Sequence, residues 1–104
     1  MIKELEDDIV VFTLTENFTG FSEKNFEYLK LNKNDIILFL KKISYKNIIE
    51  HLIKLNHFQI SINRVLVIVP KNEKEVNFHS KLNLIKSVKE GIDFIMFEKI
   101  QRNL

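Results

Sequence analysis

The chain has 104 residues, 45% of them hydrophobic and 29% charged, a balance that suits one globular domain and is too short for two. It contains no cysteine, which excludes a disulfide framework, a thiol nucleophile and any cysteine-ligated zinc or iron-sulfur centre. The net charge of +2 hides an asymmetry, because residues 1 to 35 carry 4 basic and 8 acidic side chains while residues 36 to 104 carry 12 basic and 6 acidic.

Ile2 to Leu5 and Ile9 to Leu14 read as two strands around the turn-prone Asp7-Asp8, the second rich in the β-branched residues Ile9, Val10, Val11 and Thr13. This predicts an opening hairpin. After Gly20, Ser22 stands at an N-cap position, Glu23 follows in the first turn, and Phe26, Tyr28 and Leu29 recur at helical spacing before Asn32-Lys33-Asn34. Ile36 to Leu40 is a continuous apolar run, the pattern of a strand covered on both faces. From Ser44 to residue 58 a helix follows, with Tyr45, Ile48, Ile49, Leu52, Ile53 and Leu55 on one arc and Glu50, Lys54 and His57 opposite.

Val65 to Val69 repeats the buried-strand pattern and stops at Pro70, which lacks a ladder donor. Two such strands joined through a helix make a βαβ unit. Residues 71 to 81 read as a loop or one irregular helical turn, and Leu82 to Ile85 as a short strand. Ser87 caps a final helix, whose expected buried arc is Val88, Ile92, Ile95, Met96 and Ile100, with Phe94 and Phe97 beside it. The order β-β-α-β-α-β-β-α describes a single α/β domain over residues 1–104, a mixed four- to five-stranded sheet with helices mainly on one face.

Signals of catalysis are weak. His51 and His57 lie six positions apart on one helix, roughly 120° from each other, and with His79 they lack metal-ligand spacing. The only glycines, Gly20 and Gly91, are isolated, so no phosphate-cradling loop is present, and no serine lies in a nucleophile elbow. We therefore expect no enzyme activity, no metal and no cofactor. No apolar run approaches the ~20 residues a bilayer span needs. The acidic stretch Met1 to Asp8 lacks the features of a secretory signal, so a cytoplasmic protein without a membrane partner is expected.

Two surfaces have a pattern that suits a partner. Lys41, Lys42 and Ser44 follow the first buried strand, Lys46 lies in the first turn of the next helix, and Lys71 and Lys74 follow the second buried strand. The carboxyl ends of parallel strands are where α/β sheets bind ligands, so these residues form a positive rim around a helix N-terminus, or simply keep loops solvated. Phe94 and Phe97 pack on the sheet or form a dimer contact, since aromatics are enriched at interfaces. The basic segment 36–104 also admits an RNA-associated module. With 14 lysines to 2 arginines the whole chain is short of the forks that phosphate and base recognition favour, so nucleic acid is the weaker reading.

The segment Arg64 to Val69, followed by a polar stretch and Leu82 to Leu104, resembles the ending of small STAS-like proteins of the anti-sigma factor antagonist type from Bacteroidetes. Glu90, Asp93, Glu98, Ile100, Arg102 and Leu104 match the pattern of that ending, while Lys86-Ser87 replaces the usual helix start. The resemblance implies a mixed sheet backed by helices. It also implies a non-catalytic domain that docks to a regulatory protein, such as an anti-sigma factor or a kinase-like partner, here through the N-terminal end of the 44–58 helix. Classical members of that type carry an Asp-Ser-Ser-Gly or similar loop at the start of the helix after the central strand, where a partner kinase phosphorylates a serine. In its place stands Lys41-Lys42-Ile43-Ser44-Tyr45, so only Ser44 carries over as a phosphosite. The chain is closer to a divergent branch without that loop, including short companions of ribonuclease Z, the context in which an RNA-associated role arises.

Overall fold

The structure, a computed structural model, describes residues 2–5, 8–72, 74 and 81–103. The strands are β1 (Ile2–Leu5), β2 (Ile9–Leu14), β3 (Asp35–Leu40), β4 (Leu66–Val69) and β5 (Asn83–Leu84). The helices are α1 (Glu23–Asn32), α2 (Ile49–Ser61), preceded by a 3-10 turn at Tyr45–Ile48, and α3 (Val88–Arg102). The strands lie in sequence order in one sheet, β1 antiparallel to β2 and the other four parallel. The turn expected at Asp7-Asp8 falls partly outside the described residues, as do His79 and most of the loop expected between 71 and 81.

Period-two alternation sends β2, β3 and β4 to two cores. Val10, Phe12, Leu14, Ile36, Leu38, Leu40, Leu66 and Ile68 pack with Leu29 of α1 and with Leu52 and Leu55 of α2. On the opposite face Ile9, Val11, Ile37, Val67 and Val69 pack with Ile95 of α3. The expected concentration of helices on one face holds for α1 and α2 alone; α3 covers the other. The unbroken apolar runs at 36–40 and 65–69 require this, because strands buried on both faces need a helix layer on each.

Local chemistry sets the helix ends. At α1, Ser22 Oγ accepts from the Asn25 N–H at 3.2 Å and Asn25 Oδ1 accepts from the Ser22 N–H at 2.9 Å, a reciprocal capping box. Lys33, with φ 51°, closes the helix by donating its N–H to the Leu29 carbonyl. Ser87 caps α3 through the Glu90 N–H. An edge-to-face chain of rings, Phe18–Phe21–Phe26–Phe58, with His51 against Phe18, fixes the 15–22 segment onto α1 and α2. His51 is thereby a packing residue beneath Gly20, whose φ of 137° favours glycine.

The expected buried arc of α3 is corrected by rotation. Gly91 and Ile95 face the sheet, and a Cβ on Gly91 would lie 3.1 Å from Val67 Cγ1 and 3.5 Å from Ile37 Cδ1. Centring the helix on Gly91 turns Met96 and Ile100 outward; Ile100 is 60% exposed. A tally of apolar residues overlooks a glycine whose contribution is closeness.

Candidate functional site

At the carboxyl end of the sheet, β3 ends at Leu40 beside Leu14 of β2, and Lys41 donates its N–H to the Leu14 carbonyl at 3.1 Å. Pairing of Phe39 with Val69 brings the residues that leave β3 and β4 to the same end. Lys41, Lys42, Lys71 and Lys74 are all exposed there, as is Lys46 on the 3-10 turn, while Ser44 is half-buried at the N-cap position of that turn. Glu16, just past the end of β2, is the acidic residue of the Thr15–Gly20 segment. Lys41 and Lys42 leave β3, and Lys71 follows β4, on this same side of the sheet.

The expected helix N-terminus takes a different form. Four residues of 3-10 helix come first, with the Asn47 N–H bonded to the Ser44 carbonyl, and α2 starts only at Ile49, without a side-chain cap. The donors of the first α-helical turn thus lie a turn away from Ser44. What remains at that end is a set of exposed lysine side chains set apart from the first N–H donors of α2.

The amino end of the sheet carries a polar network that sequence reasoning missed. Asp35, 1% exposed at the start of β3, receives a two-pronged pair from Arg102 of α3: Nη1 to Oδ1 at 3.0 Å and Nη2 to Oδ2 at 3.0 Å. Asp35 Oδ1 also accepts from the Val65 N–H at 2.8 Å, and Arg102 Nη1 donates to the Asn63 carbonyl. Asp35 raises the pKa of Arg102, mainly through these hydrogen bonds, with burial opposing and the charges of Asp35 and Glu98 adding. Gln59 Nε2, fully buried, donates to the carbonyls of Asn34 and Val65. Asn34 Nδ2 donates to the Asp8 carbonyl.

A groove of about 380 Å³ opens beside this network, lined by residues that include Ile60, Arg64, Glu98 and Arg102. Both arginines of the chain border it, yet Arg64 is committed to the carbonyls of Lys33 and Asn63, and Arg102 to Asp35. These donors are engaged within the fold, Arg102 by the Asp35 carboxylate and Arg64 by backbone carbonyls. In the sequence Asp35 is simply an acidic residue ahead of an apolar run, and its partner lies 67 positions away.

Phe94 and Phe97 separate. Phe94 is half-buried against the second core, whereas Phe97 is 59% exposed on the outer side of α3 with Met96 and Ile100. Between α3 and the β5 edge lies an open groove of about 560 Å³ lined by Leu84, Ile85, Lys86, Glu90, Asp93, Phe94 and Phe97. Among the described residues no group of three or more His, Cys, Asp or Glu side chains is placed to hold a metal, and no helix is long and apolar enough to cross a membrane.

Searches against protein-family models, curated proteins and solved structures return no match to this chain.

Proposed function

We propose that this α/β chain is a non-catalytic interaction domain that docks an acidic surface of a regulatory protein onto the carboxyl end of its parallel strands. The observation that carries this reading is the convergence of exposed Lys41, Lys42, Lys71 and Lys74 at that end, with Lys46 on the adjoining 3-10 turn. Like charges exposed on one side of a protein add their fields and raise the encounter rate with a negatively charged partner, an effect that salt screens beyond ~8 Å at physiological ionic strength. Individual exposed ion pairs contribute only ~0 to 1 kcal/mol, so the rim acts on association more than on lifetime. The mixed sheet is the architecture that the STAS-like resemblance implies, and Ser44 at the β3–helix junction is where a phosphoryl group would neutralise the lysines beside it.

The test is association kinetics with the partner that co-purifies from the native cell, identified after cross-linking. Lys41→Glu with Lys42→Glu should slow association by about 10-fold or more at low salt and flatten its salt dependence. An unchanged association rate removes the rim from the interface. Filter binding at two salt concentrations discriminates the RNA-associated reading, since a steep fall in RNA affinity with salt would replace the protein partner by nucleic acid.

A further inference from the structure

The groove beside the amino-end network continues into a second hollow of about 260 Å³, and the two share Ile60, Arg64, Val65 and Glu98 as walls. Arg64 Nη1 and Arg102 Nη1 donate to the same oxygen, the Asn63 carbonyl, at 2.8 and 3.2 Å, so two guanidinium groups stand side by side. Their charges are balanced differently. Arg102 is paired with Asp35, whereas Arg64, anchored by the Lys33 and Asn63 carbonyls, forms no ion pair among the described residues. Those two anchors use Nε and Nη1 and leave Nη2 without a hydrogen bond among the described residues, so a planar fork with spare donors is already held at the wall. Glu98 is half-buried on α3, and although its charge reaches Arg102, it forms no ion pair with any described cation. Lys81, the remaining charged residue of the walls, is not free.

One continuous groove is thus walled by a cationic fork and a carboxylate that do not meet each other. A simple anion would be repelled by Glu98 and a simple cation by the two arginines, so the walls suit a small molecule that carries both charges. Apolar surface lines the same space: Ile60 is 64% exposed, and Phe94 is half-buried. We propose that this groove binds a free α-amino acid with an apolar side chain. Its carboxylate accepts from the spare N–H groups of Arg64, its ammonium donates to Glu98, and its side chain covers Ile60 and Phe94. Hollows of about 260 and 380 Å³ suit a ligand of that size. The site lies at the opposite end of the sheet from the lysine rim and holds or fails independently of it.

Isothermal titration calorimetry with L-leucine and L-phenylalanine as probes tests the proposal, with N-acetyl-L-leucine and L-leucinamide each lacking one of the two charges. At least one of the free amino acids should bind and raise Tm as its concentration rises, and each blocked leucine should bind about 10-fold more weakly than leucine or worse. Glu98→Gln, which breaks no hydrogen bond seen in the fold, should weaken the free amino acids by about 10-fold and leave N-acetyl-L-leucine no weaker than before. Arg64→Lys keeps the charge but loses the fork, so it should weaken the free and the acetylated forms alike, with an unchanged far-UV spectrum showing that the fold is intact. Neither heat nor a rise in Tm with either amino acid at millimolar concentration overturns the proposal. So do blocked forms that bind as well as leucine, or an affinity that Glu98→Gln leaves unchanged.

Discussion

Breaking the Arg102–Asp35 pair should be among the costliest single changes in this fold. In Arg102→Met the Asp35 carboxylate stays at a site that is 1% exposed, keeping only the Val65 N–H of the donors seen around it. Leaving one member of a buried pair without its partner costs about 3–5 kcal/mol, against a total stability of about 5–15 kcal/mol for a domain. At about 4 °C per kcal/mol, the lower end for domains near this size, that is a fall of about 12–20 °C in Tm. Urea unfolding followed by far-UV circular dichroism measures the loss by linear extrapolation. Arg102→Lys should recover part of it, because it keeps the charge and loses the fork that meets both carboxylate oxygens. Asp35→Ala combined with Arg102→Met should cost less than the two single changes together, because the second removes a group the first has already orphaned. A loss below about 1 kcal/mol for Arg102→Met would place the pair with solvated surface bridges and refute its role in clamping α3 to the start of β3.

Gly91→Val should destabilise by about 1–3 kcal/mol in thermal melts and Gly91→Ala by less, because branches added beyond a Cβ already 3.1 Å from Val67 meet the sheet directly. Gln59→Leu should cost about 1–2 kcal/mol, since it removes donors to Asn34 and Val65 while also removing a buried Oε1 that has no hydrogen-bond partner among the described residues; Gln59→Glu should cost more, and chemical denaturation orders the two. Ile100→Lys should change stability by no more than about 0.5 kcal/mol, whereas Ile95→Ala should lose about 2–5 kcal/mol, a contrast that urea titration reads as the rotation of α3.

The amino-acid pattern alone was enough to place the two strands at 36–40 and 65–69, their covering on both faces and the helix between them. An apolar run of five residues can be buried only in the middle of a layered fold. Capping at Ser22 and Ser87 was equally legible, because an N-cap bond spans three residues and is specified within one turn. The lysines at the ends of β3 and β4 were identified as a group because strand ends adjacent in a parallel sheet share one side of it.

Only the tertiary structure decided the orientation of α3, the 3-10 start of the second helical segment, and the lock at the amino end of the sheet. Apolar residues occur around most of the circumference of α3, from Val88 and Ile92 through Phe94, Ile95, Met96 and Phe97 to Ile100, so periodicity has no unique buried side to report. Its orientation depends instead on a glycine that admits Val67 and on an arginine whose carboxylate partner is remote in the chain. Both are contacts between distant segments, and local spacing carries no information about which distant segment arrives.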